Sequence, residues 1–254
     1  MYDLKMMNDL GLRKINMAKE EGMHFMWRAI LAGFFLGVAM ILSYSLAALF
    51  KDNAAVSKIM IAFTFGIGLV CISLFKAELF TGNCLLTMIP IFSKEAKLRD
   101  LIPSWILCYI GNIIGVGIIG ILFIFSQMDS SLMKEYLAPV CEAKLTFTLT
   151  PLLIKAILCN FVVCIASFAG IKLKHEFTKV IILMLLVATF VIAGLEHCIA
   201  NWGLFSMNLA QYGMQFDWSQ FPLHMLISTI GNIIGGSFLL GYPLYQVMKH
   251  EKRS

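Results

Sequence analysis

The chain has little charge. Only 14% of its 254 residues are Asp, Glu, Lys or Arg, whereas an average soluble domain has roughly 25%. Apolar residues make up 59% of the chain, and 20 of its residues are phenylalanine. This composition excludes a disordered chain and a collagen-like chain, and it argues against a soluble enzyme. It is typical of a helical protein with several membrane spans.

The chain also lacks the spacings of a metal site or a disulfide scaffold. Its seven cysteines contain no Cys-x-x-Cys pair, and all but Cys141 lie in apolar stretches, so we expect them to be free packing residues. The apolar runs contain neither a nucleophile–base pair nor clustered metal ligands, so we expect no metal, no cofactor and no enzymatic activity. The net charge of +5 comes from basic residues between apolar runs, which indicates membrane topology rather than nucleic acid binding.

Six apolar segments organise the chain. Four of them predict simple spans and cover residues 29–50, 101–128, 151–171 and 218–248. The other two, 59–93 and 180–216, are about 35 residues long, too long for one straight span and too short for two. Each has a polar cluster near its middle, at 78–83 and 196–201. We therefore predict that spans two and five break near mid-membrane, where irregular backbone must be buried in protein or line a cavity.

Three short patterns recur in the same order. The segment Gly-Asn-Ile-Ile-Gly occurs at 111–115 and 231–235, Glu-x4-Asn at 78–83 and 196–201, and Arg/Lys-Ala-Ile-Leu at 28–31 and 155–158. Such recurrence predicts a duplicated unit, and a unit of three spans must insert the second time upside down. The expected fold is an all-α membrane protein with six transmembrane spans, arranged as two inverted three-helix repeats at approximately 29–128 and 151–248.

The basic residues predict the orientation. We expect an amphipathic N-terminal segment at 1–28, a single membrane domain at 29–248 and a short tail at 249–254. With the N-terminus inside, the inner segments hold 14 Lys and Arg and the outer loops hold 4. This bias predicts a multi-pass protein of the cytoplasmic membrane with both termini in the cytoplasm.

The polar residues of the two breaks are candidates for function. His197 is an ionisable residue at membrane depth, which favours a functional role over that of an ordinary core histidine. The Thr81 hydroxyl either helps to satisfy a kinked backbone or points at a substrate. Four further residues of the breaks, which we expect to support the loops, are Glu78, Asn83, Glu196 and Asn201.

Lys155 and four apolar residues flank the breaks. Lys155 either extends to the membrane interface, or attracts an anion or pairs with Glu196, and its equivalence to Arg28 in the repeat favours function. The apolar residues are Phe65, Leu69, Phe80 and Phe190. Packing is the usual role of membrane Phe, but Phe190 lies two turns before His197, as in a hydrophobic constriction.

Four motifs together resemble the formate/nitrite transporter family over essentially the whole chain. They are Glu-Leu-Phe-Thr-Gly-Asn at 78–83, Lys-Ala-x-x-x-Asn at 155–160, Glu-His-x-x-Ala-Asn at 196–201 and the Gly-Asn pairs of spans three and six. Within the family, the chain is most similar to the clostridial hydrosulfide channels. The resemblance implies an aquaporin-like fold and a homopentamer in which each protomer has its own pore.

The resemblance also implies roles for individual residues. Thr81 and His197 would face the pore centre, with Lys155 and Asn160 as a polar surround. The constrictions would be lined by Phe65, Leu69, Phe80 and Phe190, and the N-terminal segment could occlude the cytoplasmic mouth. Lys76 departs from the pattern, because a small or neutral residue is expected there.

The expected function is a channel or proton-linked transporter for small monovalent anions of weak acids, namely hydrosulfide, formate and nitrite. Its partners would be these inorganic or carboxylate anions, protons, the lipid bilayer and further copies of the chain. The alternative is a neutral small-solute or water channel of the same aquaporin-like fold, which would not need Lys155.

Overall fold

The computed structural model describes residues 4–127 and 131–251. Residues 1–3 of the predicted N-terminal segment, 128–130 and 252–254 of the predicted tail lie outside the described residues. In chain order the helices are α1 (Leu4–Glu20), α2 (Gly22–Leu49), α3 (Ala54–Leu74), α4 (Phe80–Leu86), α5 (Met88–Phe92), α6 (Leu98–Phe125), α7 (Ser131–Leu145), α8 (Leu149–Lys172), α9 (Glu176–Ile192), α10 (Cys198–Tyr212), α11 (Phe221–Ile233), a π-helix (Ile234–Gly241) and α12 (Tyr242–Glu251). The described part of the chain contains no β-strand.

Five helical segments of the described residues are long and apolar enough to cross a membrane. They are Gly22–Leu49, Ala54–Leu74, Leu98–Phe125, Leu149–Lys172 and Trp218–His250. The predicted span five is divided between α9, which has 17 residues, and α10, which has 15. The predicted all-α fold is confirmed, and the count of six spans stays a prediction.

Both predicted breaks are present, and they have the same backbone geometry. In the first, the N–H of Ala77 donates to the carbonyl of Ile72, five residues earlier, and Lys76 has a φ of 51°. In the second, the N–H of Leu195 donates to the carbonyl of Phe190, and Gly194 has a φ of 66°. These are the hydrogen bond and the left-handed residue of a Schellman motif, which ends a helix.

One asparagine in each repeat joins the unwound segment to two helices. Asn112 donates from Nδ2 to the carbonyls of Ala29 and Glu78, both at 2.8 Å, and its Oδ1 accepts from the N–H of Phe80 at 2.9 Å. Asn112 is fully buried. Because hydrocarbon offers no other partners, these bonds are what allow the backbone to leave the helix at this depth.

Asn232 repeats that arrangement in the second half. Its Nδ2 donates to the carbonyls of Ala156 and Glu196, both at 2.8 Å, and its Oδ1 accepts from the N–H of Cys198 at 2.9 Å. The matching contacts support the predicted duplication. They also explain why the asparagine recurs in the Gly-Asn-Ile-Ile-Gly segments.

The glycines of the same segments allow two pairs of helices to touch. A Cβ at Gly115 of α6 would lie 2.1 Å from the carbonyl oxygen of Ile30 in α2. A Cβ at Gly235 of the π-helix would lie 2.0 Å from the carbonyl oxygen of Ile157 in α8. No side chain fits at these distances, so glycine is required where the helices approach each other.

Helices α1 and α7 occupy matching places before the two repeats. Helix α7 lies in the segment between the two repeats and packs against α2, α10 and α11. The N-terminal helix α1 packs against α2, α4, α5 and α6. Each three-span repeat is therefore preceded by a helix that packs against it. Hydrophobic runs alone do not reveal these two helices, because neither is strongly apolar.

We expect substitution of Asn112 or Asn232 by alanine to destabilise the protein strongly. Each change leaves the buried backbone N–H at the start of a half-helix, that of Phe80 or of Cys198, without its partner, at roughly 1–3 kcal/mol, and removes a donor from two backbone carbonyls. The matched control is Asn208→Ala, because buried Asn208 donates only to Leu204 of its own helix. Thermal unfolding of the purified protein in detergent checks this, and equal midpoints for Asn112→Ala and Asn208→Ala would contradict it.

Candidate functional site

The two breaks bring Thr81 and His197 together. Thr81 lies in the first turn of α4 and His197 is the residue before α10. The Thr81 Oγ1 atom and the His197 Nε2 atom are 3.1 Å apart, and both residues are buried. Residues 116 positions apart thus form one polar pair. Helices α4 and α10 begin at this pair, so their N-terminal dipole ends favour negative charge near it.

The hydrogen bonds of the His197 ring determine its tautomer. The backbone N–H of Ala200 donates to Nδ1 at 3.2 Å, so Nδ1 has no hydrogen. The neutral ring then has its hydrogen on Nε2, which donates to the Thr81 hydroxyl oxygen. The hydroxyl hydrogen of Thr81 remains free to donate to a third group. The pair can therefore present a hydrogen-bond donor to an anion while His197 itself is neutral.

Helix α8 holds the backbone of Thr81 in place. The Nδ2 of Asn160 donates to the Thr81 carbonyl at 3.2 Å and to the Asn232 carbonyl at 2.6 Å. The Cys164 thiol also donates to the Thr81 carbonyl at 3.2 Å. Asn160 therefore contacts the pair through the backbone of Thr81.

Aromatic rings cover one side of the pair. The Phe190 ring is stacked against the His197 ring at 6.0 Å between centroids, and it meets the Phe65 ring edge-on at 6.3 Å. Both phenylalanines are buried. Phe80 instead packs against Tyr109, with the centroids 4.9 Å apart, and against Trp105. The Thr81–His197 pair therefore lies against apolar walls.

The two break glutamates are buried and paired with cations. Glu78 forms ion pairs with Lys14 of α1 and, at 3.2 Å, with Arg28 of α2, and it accepts from Asn83 at 3.0 Å. Among these partners, Lys14 belongs to the helix that precedes the first repeat. A buried carboxylate requires such partners, because its charge is costly away from water.

Glu196 has the equivalent partners in the second repeat. It forms an ion pair with Lys144 of α7 at 2.5 Å and accepts from Asn201 at 2.9 Å. The ring of buried His224 lies beside it, with Nε2 at 3.7 Å from the carboxylate. Sequence reasoning missed both Lys144 and His224, because it placed the first in a loop and the second at the end of a span.

The structure shows contact between Lys155 and the second break through its backbone, and the place of its side chain at the pore centre stays a prediction. The Lys155 side chain is exposed, whereas Ala156 and Asn160 on the same helix are buried. Only the backbone carbonyl of Lys155 faces the break, where it accepts from the N–H of Glu196 at 3.5 Å. The motif correctly aligned Lys155 with Arg28, whose carbonyl accepts from the N–H of Glu78. It could not tell which face of α8 carries the lysine.

A cavity of about 330 Å³ lies on the α1 side of the pair. It is lined by Leu69 and by Gly82, the neighbour of Thr81. Five cations also line it, namely Arg13, Lys14, Arg28, Lys76 and Lys179, against one carboxylate, Glu78, among the described residues. The cavity is therefore a basic vestibule that ends beside the pair. The described residues contain no group of His, Cys, Asp and Glu that could hold a metal ion.

Comparison with known proteins places this geometry in a family. The family model for the formate/nitrite transporter matches residues 4–246. The chain is 29% identical over 253 residues to the formate-nitrite transporter of Plasmodium falciparum (isolate 3D7), covering 92% of this chain and 81% of that one.

Two solved structures share the fold. One, described as an FNT family ion channel, superposes with a TM-score of 0.88 at 22% identity, covering 96% of this chain and 98% of that one. The other, described as a pentameric formate channel with formate bound, gives 0.78 at 23% identity, covering 90% and 98%. Together with the apolar helices, the match to the family model identifies a multi-pass membrane protein of the transporter class.

We expect Lys144→Met to destabilise the protein far more than Lys155→Met. The first change leaves buried Glu196 without its cation, which costs about 3 kcal/mol when one partner of a buried pair is removed. In a chain of this size, a loss of about 3 kcal/mol lowers the Tm of Lys144→Met by roughly 6–12 °C. Lys155→Met removes only an exposed charge. Thermal unfolding in detergent measures both, and similar midpoints for the two variants would show that the Lys144–Glu196 pair has no structural role.

Proposed function

The chain belongs to the formate/nitrite transporter family, and we propose that it passes small monovalent anions of weak acids, such as formate, nitrite and hydrosulfide, across the cytoplasmic membrane. The observation that carries this proposal is the buried hydrogen-bonded pair of Thr81 and His197 between apolar walls, at the end of a basic vestibule. The pair offers one donor at the point where water is excluded. That arrangement suits a small anion that can also become neutral.

The cations of the vestibule supply the first step. A bare anion meets a large desolvation cost in an apolar constriction, and positive charge at the entrance offsets part of it by raising the local anion concentration. Lys14 and Arg28 are held by Glu78, so the vestibule keeps a net positive charge through its remaining cations. This feature favours an anion over the neutral solute of the alternative hypothesis.

The second step takes place at the Thr81–His197 pair. The neutral His197 ring donates from Nε2 to Thr81, and the Thr81 hydroxyl donates to the arriving anion. A proton on Nδ1 would displace the Ala200 N–H, so His197 positions the threonine rather than supplying the proton. Water in the vestibule gives a proton to the anion, the hydroxide that remains returns to the bulk solution, and the neutral acid crosses the Phe65–Phe190 constriction.

The proposed setting is a homopentamer in which both termini are cytoplasmic and each protomer has its own pore. The solved pentameric formate channel supports the assembly by likeness of fold, and the excess of basic residues on one side supports the orientation. Helix α6 carries exposed isoleucines at 102, 106, 110, 114 and 118, as expected of a face that meets lipid or another protomer. Leu10 and Arg13 of α1 line the vestibule, which is consistent with occlusion of the mouth by this helix.

Uptake by proteoliposomes tests the proposal. We expect formate, nitrite and hydrosulfide to enter much faster than chloride, because chloride does not become a neutral acid. Uptake of the three weak-acid anions should rise as the external pH falls, because more of each is then protonated. The variant His197→Phe, which keeps the bulk of the ring and removes its donor, should lower formate uptake about tenfold or more while the pentamer remains intact. His197→Asn, which keeps a hydrogen-bond donor at this position, should retain part of the uptake.

The matched control is His175→Phe, because His175 is exposed at the start of α9. It should conduct as the wild type does. Chloride uptake equal to that of formate would contradict transport as a weak acid. Wild-type uptake and pH profile in His197→Phe would show that His197 is a packing residue.

A further inference from the structure

The two breaks differ at one position that glycine usually occupies. In the second break the residue with left-handed backbone is Gly194, with a φ of 66°, and in the first it is Lys76, with a φ of 51°. The side chain of an L-residue disfavours this conformation, which is why the matching place in a Schellman motif is usually Gly and sometimes Asn. The first break therefore retains a lysine at a position where its backbone is strained.

The surrounding structure stabilises that conformation. The guanidinium of Arg28 donates to the Lys76 carbonyl and also pairs with Glu78 at 3.2 Å. In the second repeat the position that matches Arg28 is Lys155, whose side chain is exposed. The Arg28 side chain thus stabilises the left-handed lysine of the first break. In the second break the left-handed residue is glycine, and the matching Lys155 side chain is exposed.

The side chain of Lys76 lies in the vestibule. It is exposed and lines the 330 Å³ cavity. Lys14 and Arg28 are paired with Glu78, whereas Arg13, Lys76 and Lys179 form no ion pair with any described residue. These three cations come from α1, the break and α9, and they converge on one cavity beside Gly82. Their charge is therefore available to a mobile anion.

We propose that Lys76 is a selectivity residue, which together with Arg13 and Lys179 concentrates anions at the α1-side mouth of the pore. The proposal rests on the proposed function, because it concerns which solutes reach the Thr81–His197 pair. Of these three cations, Lys76 alone has a positive φ, a backbone conformation that glycine would adopt more easily. The positive charge that Lys76 places in the vestibule explains why a lysine rather than a glycine occupies this position.

Three variants separate the charge of Lys76 from its backbone. Lys76→Gly and Lys76→Asn remove the charge with residues that accept a positive φ, and Lys76→Arg keeps the charge. At an ionic strength of about 10 mM, where the screening length is about 30 Å, we expect the two neutral variants to take up formate roughly threefold more slowly or worse. The difference should shrink at about 1 M salt, where the screening length is about 3 Å. Lys76→Arg should match the wild type.

Thermal unfolding provides a readout that is independent of uptake. The Tm of Lys76→Gly should equal or exceed that of the wild type, because glycine adopts the turn without penalty. Lys58→Asn is the control for net charge, since Lys58 is exposed on α3 and does not line the vestibule. It should leave uptake unchanged at either salt concentration.

Several results would overturn the proposal. Unchanged uptake in Lys76→Gly at low salt, equal losses in Lys76→Arg and Lys76→Gly, or a lower Tm in Lys76→Gly would each show that Lys76 is not retained for its charge. These outcomes would overturn the inference about Lys76 and leave the proposed function unaffected. A wild-type protein that takes up none of the three anions would overturn the proposed function and this inference together.

Discussion

A helix that breaks inside a membrane exposes backbone N–H and carbonyl groups where no water can bind them, and the rest of this structure depends on how they are satisfied. Asn112 and Asn232 each supply three hydrogen bonds to an unwound segment and to a neighbouring helix. Because each asparagine bonds to two elements at once, it fixes the position of the following half-helix relative to the spans. The Thr81–His197 contact is the result of two such attachments.

The two repeats also match in their buried charges, and they differ in the charged residues that surround each break. Each break has a buried glutamate, and each glutamate is paired with a lysine from a helix that precedes the repeat. On the α1 side the pattern is extended by Arg28 and by the cations of the vestibule. The two repeats thus share one backbone arrangement, and Arg28 and the vestibule cations make the α1 side more positively charged than the other.

Much of this could be predicted from the chain alone. The recurrent Glu-x4-Asn segments in two over-long apolar runs indicated both breaks, and the family resemblance implied that Thr81 and His197 face one centre. The side chains of Asn112 and Asn232 were visible within a repeated motif, but their role depends on which helices face each other. The place of the Lys155 side chain stays a prediction, because a motif gives the order of residues along a helix and not the face that each occupies. Lys144 was missed because it reaches Glu196 from 52 positions away, on a helix that is not strongly apolar.

The central claim is that an anion meets the hydroxyl of Thr81, which His197 holds in place. The most direct measurement is formate uptake by proteoliposomes containing Thr81→Val, which is nearly isosteric but has no hydroxyl, beside Thr81→Ser, which keeps the hydroxyl. We expect the serine variant to retain most of the uptake and the valine variant to lose it by about tenfold or more, with the assembly intact. Uptake by Thr81→Val at the wild-type rate would contradict the account.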